Sequence, residues 1–76
     1  MLRYGIRSLG NHDLPRELTE ATEQTVDDVL RRAATFLGRP EVSIERVIHV
    51  MGCVPCTNVV ASTGGVTLLV ATPDIL

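Results

Sequence analysis

The stretch that most constrains this chain is "TVDDVLRRAATFLGRP", residues 25–40. Val26, Val29, Leu30, Ala33, Phe36 and Leu37 recur at three- and four-residue spacing, which places them on one stripe of a helix. Thr25 stands where an N-cap belongs, and Asp28, three residues on, resembles the acidic member of a capping box. Asp27 and Asp28 also suit the positive end of the helix dipole. Arg31 and Arg32 fall outside the stripe. Gly38 stops the helix and Pro40 keeps it stopped. A helix with one apolar stripe must lay it on an apolar surface, and the rest of the chain offers strands.

"LRYGIRS" alternates, with Leu2, Tyr4 and Ile6 pointing one way and Arg3 and Arg7 the other, as in a strand with one wet face. "GNHD" at 10–13 is a cluster of turn formers. "VSIERVIHVM" at 42–51 is rich in β-branched residues, with Ile44, Ile48 and Val50 on one face and Val47, His49 and Met51 on the other. "TNVVAS" at 57–62 and "VTLLVAT" at 66–72 read as two more strands joined by "TGG", a tight-turn sequence. The last of these is apolar on both faces, which predicts a central strand. Between the first strand and the helix lies "LPRELTEATEQ", residues 14–24. There Leu14, Leu18 and Ala21 continue the helical stripe into Thr25 and Val29, and Pro15 falls in a first turn. Periodicity thus favours one helix over about 15–37, while a strand in the same segment stays open. The expectation is a single α+β domain over 1–76, with one principal helix on a mostly antiparallel four-stranded sheet.

The order of these elements resembles the β-grasp, or ubiquitin-like, fold, and is nearest the small sulfur carriers of thiamine and molybdopterin synthesis. Thr25, Val26, Val29 and Leu30 match the phrase that opens the carriers' helix, and Gly65, Val66, Leu68 and Leu69 match their last strand. The resemblance implies a β-grasp-like topology and a protein that works by binding other proteins. Carrier chemistry needs a terminal Gly-Gly. This sequence closes with "ATPDIL", and Gly64 and Gly65 precede a strand, so a carrier role is not expected.

"GCVPCT", residues 52–57, holds Cys53 and Cys56 in a CxxC pair. Three readings stay open. As redox thiols, one would attack and the other resolve, but "TNVVASTGG" downstream offers no helix whose dipole would activate the first. As zinc ligands, they would join His49 and His12, making a Cys2His2 set or a half-site completed across a dimer. As small apolar residues, they would sit in a strand-to-strand connection. That last reading is the leading one, with no cofactor expected and zinc kept as the exception. His49, between Val47 and Met51, reads as a half-buried core histidine. Asp27 and Asp28 diverge on a helix, "STGG" lacks the Lys of a phosphate loop, and no Ser, His and acid meet at a nucleophile elbow. An enzyme is therefore not the expectation.

Composition bounds the partners. With 76 residues, 45% of them hydrophobic and 3% aromatic, the core must be built from aliphatic side chains and cannot be large. All seven basic residues are Arg, and a net charge of −2 gives no electrostatic reason to expect nucleic acid. Arg3 and Arg7 break the first apolar stretch, and "VTLLVA" is too short to span a bilayer, so neither a signal peptide nor a membrane segment is expected. The protein reads as cytoplasmic. One helix covers one face of a four-stranded sheet. On the other face Val47, Met51, Leu69 and Ala71 would form a contiguous apolar patch, which predicts a homo-oligomer or a protein partner that buries it. The leading function is a non-catalytic protein-interaction module. The rival is a CxxC thiol or zinc protein.

Overall fold

A computed structural model describes residues 2–10, 12–48 and 57–74 of the chain. In chain order the elements are β1 (Arg3–Ser8), a 3-10 turn (Arg16–Leu18), β2 (Glu20–Thr22), α1 (Val26–Phe36), β3 (Ser43–Ile48), β4 (Thr57–Thr63) and β5 (Val66–Asp74). The described strands form one sheet in the order β2-β1-β5-β4-β3, and every pairing in it is antiparallel. The helix lies on one face. The architecture is α+β as expected, with five strands where four were expected.

The extra strand comes from 14–24. Helical spacing does not win there because β1 needs an edge partner, and its backbone groups take this segment instead. Ile6 N–H donates to the Thr19 carbonyl at 2.8 Å, and Glu23 N–H donates to the Leu2 carbonyl at 2.8 Å. Between those bonds Tyr4 faces Ala21 across the ladder. Leu18 and Ala21 are buried all the same, so the apolar signal was sound and its period was not. A turn at 23–25 then separates β2 from α1. Thr25 occupies the N-cap position without capping: its Oγ1 accepts from the Thr22 backbone N–H at 3.0 Å, closing that turn. The capping box with Asp28 does not form.

At its other end the helix stops as the sequence requires. Gly38 adopts φ +78°, its N–H reaches the Thr35 carbonyl at 2.9 Å, and Arg39 N–H reaches the Ala34 carbonyl at 2.8 Å. This Schellman arrangement satisfies carbonyls the helix leaves open. The buried stripe is Val26, Val29, Leu30, Ala33 and Ala34, while Phe36 is 56% exposed on the flank of the last turn. Ala34, and not Phe36, is the buried residue of this turn, in one core cluster with Ala61 and Ala71.

Gly64 and Gly65, at φ +57° and +79°, make the two-residue turn between β4 and β5. From that turn Thr63 pairs Val66 and Ser62 pairs Thr67, yet Ala61 pairs Leu69. Leu68 is an extra residue, a β-bulge. It inverts the alternation of everything after it. Continued without the bulge, the turn's register would turn Leu68 and Val70 toward the helix and Leu69 and Ala71 away. With it, Leu69 and Ala71 are fully buried beneath α1, and Leu68 still packs at the margin of the core. The expected patch of Val47, Met51, Leu69 and Ala71 is therefore corrected: two of its four members are core residues. β5 is central, as its two apolar faces predicted.

Candidate functional site

The sheet's uncovered face is polar at its margins. Arg3 and Glu20 approach at 3.4 Å across β1 and β2, and Gly5 leaves a shallow notch between them and Thr72. Further across, Val70 pairs Arg7 on one side and Val60 on the other, and Val60 pairs Glu45. Val60 and Val70 are partly covered. Val47, on β3, is the member of the expected patch that the structure leaves on this face, 47% exposed. Met51 lies outside the described residues.

β3 forms one edge of the sheet and is the most exposed of its strands. Ile44 packs on the core, and Arg46, two residues on and on the same face, bonds Asp27 of α1 at 2.9 Å. Beyond that anchor Ile48 is 76% exposed, beside Val47. The opposite edge, β2, is only three residues long. An extended, six-residue edge ending in two uncovered β-branched side chains is therefore a feature of β3 alone.

The thiol and metal candidates divide. His49, Cys53 and Cys56 fall in 49–56, outside the described residues, but the residues that flank this segment are placed: Ile48 and Thr57 are direct cross-strand partners. His12 is at the other end of the molecule, beside Ser8, Leu37 and Val66. The seven residues of β4 separate the two ends by about 20 Å. Among the described residues no three His, Cys, Asp or Glu side chains cluster as a metal site would, and no described helix is long and apolar enough to cross a membrane.

Where His12 does sit is a cleft of about 380 Å³ between the end of β1, the start of β5 and the chain leaving α1. Leu9, Leu37, Val66 and Leu68 supply its apolar wall, and His12 and Arg39 its nitrogen-bearing side chains. Leu9 N–H donates to the Leu68 carbonyl at 3.0 Å, which fixes the wall's two sides to each other. The His12 ring lies over Gly10 so closely that a Cβ there would be 2.9 Å from its Cδ2 and Nε2. Sequence reasoning missed this cleft. Its residues come from three separate parts of the chain, and the "GNHD" cluster read only as a turn.

Scans against protein-family models, curated proteins and solved structures returned no match.

Proposed function

We propose that this chain is a non-catalytic protein-interaction module that associates, with a second copy or another protein, through the edge of β3. The observation that carries the reading is the pair Val47 and Ile48, 47% and 76% exposed at the end of β3, which is an edge of the sheet among the described residues. A strand edge offers a row of backbone donors and acceptors that an incoming extended segment completes, and neighbouring side chains set the register. Glu45 and Arg46 interrupt that edge, which discourages indiscriminate stacking. The ubiquitin-like, β-grasp-like side of the proposal rests on element order and on β1 and β5 lying side by side. It concerns order alone, since β1 and β5 run antiparallel here. Light scattering across a hundredfold dilution series tests the self-associating form. The wild type is expected above monomer mass, and Ile48→Glu is expected at monomer mass with an unchanged circular dichroism spectrum. A monomer at every wild-type concentration would refute it.

A second reading is zinc or thiol chemistry at Cys53 and Cys56, supported by their CxxC spacing and by His49 lying within eight residues of both in the sequence. Three ligands leave a fourth to be supplied by water or a second chain. Zinc content of protein purified without chelator, together with a free-thiol titration, separates the outcomes. Stoichiometric zinc with blocked thiols would support a metal site, and two free thiols without zinc would remove it.

A further inference from the structure

We infer that the His12–Arg39 cleft binds the C-terminal residue of a partner polypeptide, taking its apolar side chain against Leu9, Leu37, Val66 and Leu68 and its carboxylate at the rim. This deepens the interaction-module reading and rests on it. The argument is charge complementarity in an apolar setting. Four other surface depressions of the described residues carry carboxylates: Glu20 and Asp74 beside Gly5, Glu41 and Glu45 beside Gly64, Asp13 beside Arg7 and His12, and Glu41 beside Arg39 on the far side of Leu37. Among the described residues that line this cleft there is none, and its two ionisable side chains are an Arg and a His. A guanidinium and an imidazole N–H are donors suited to a carboxylate, and the Arg does not lose its charge. Two of the wall residues, Leu9 and Val66, are 50% and 60% exposed, so the apolar surface is open for contact.

The cleft lies at the small end of ligand-sized cavities. A chain end is the polypeptide feature that carries an apolar side chain and a carboxylate on one residue. The C-terminus of α1 is close by, and its partial negative charge opposes an anion. That opposition is reduced because Gly38 and Arg39 already donate to the terminal carbonyls of Thr35 and Ala34. Gly10 is the positioning residue. It has no side chain, which leaves the His12 ring room to lie against its backbone beside the cleft.

The test is an NMR titration of the full ¹⁵N-labelled chain with the peptide acetyl-Gly-Ser-Gly-Ala-Leu, once with a free C-terminus and once amidated. The free acid is expected to shift the amides of Leu9, Gly10, Leu37 and Leu68. The amide form is expected to bind about tenfold more weakly or worse, the loss of a charge-assisted contact. Arg39→Ala should bring the free acid down to the level of the amide. Gly10→Ala should weaken binding with the melting temperature nearly unchanged, and should have no further effect once His12→Ala is present. Equal binding of acid and amide, or no binding of either, would overturn the inference. Shifts confined to β3 would overturn it too, while leaving association through that edge standing.

Discussion

Leu69 and Val70 are neighbours in one strand and belong to different environments. Leu69 is fully buried beneath α1, among Leu30, Val59 and the small residues Ala33, Ala34, Ala61 and Ala71. Val70 looks out from the other side of the sheet, paired with Arg7 and Val60. One face is a dry aliphatic core and the other a half-wet surface with charges at its margins. The difference teaches that an eleven-residue helix decides which apolar residues of this sheet become core. Apolar character alone does not, because both rows of β5 have it.

The sharpest way to break this comparison is to place the same charge on both sides. Leu69→Glu is expected to abolish folding, since a carboxylate with no partner beneath the helix costs several kcal/mol (about 3–5) against a small domain's whole stability. Val70→Glu sets its carboxylate opposite Arg7 and is expected to change stability by less than about 1 kcal/mol. Thermal melts of both variants decide it. If the two unfold alike, the bulge is misplaced.

Leu30→Ala comes next. It removes a fully buried side chain at the centre of the covered face and is expected to cost about 2–5 kcal/mol by chemical denaturation. Arg31→Ala, whose Nη1 reaches the Val42 carbonyl at 3.3 Å from an exposed position, is expected to be far milder. Equal losses would mean that the helix is rotated from the phase described.

Gly38→Ala tests the helix end. A side chain at φ +78° is strained although the space around it is open, so a loss of about 1 kcal/mol is expected. The smallest effect is expected at the half-exposed ion pair between Arg46 and Asp27. Arg46→Ala should cost less than about 1 kcal/mol, and the difference should shrink further in high salt. A cost that persisted in salt would assign Arg46 a packing role between β3 and α1.

What was legible in the sequence was local. The stripe through Val26, Val29, Leu30 and Ala33, the stop at Gly38 and the Gly64–Gly65 hairpin each depend on residues a few positions apart, and each is present. What was not legible depends on distant partners. Residues 20–22 are a strand because β1 lies beside them, and Thr25 closes a turn with Thr22 instead of capping α1. Phe36 fits the helical stripe but is 56% exposed, while the smaller Ala34 is fully buried. The cleft at His12 assembles residues from the 9–12, 37–39 and 66–68 regions, and no spacing in the sequence announces it.

The extra residue at Leu68 has a consequence for how firmly β5 is held in its frame. In most half-buried strands a slip of one position would drive polar side chains into the core and is strongly disfavoured on that ground alone. Here the slipped frame would offer Leu68 and Val70 in place of Leu69 and Ala71, another aliphatic row. Polarity therefore discriminates poorly between the two hairpins, and bulk must do so, because valine replaces alanine where Ala33 and Ala34 leave little room. Overfilling of that kind is worth about 1–3 kcal/mol. The energy gap guarding this strand's register is then narrow and steric in origin, so enlarging Ala71 is the change that would let the alternative hairpin compete.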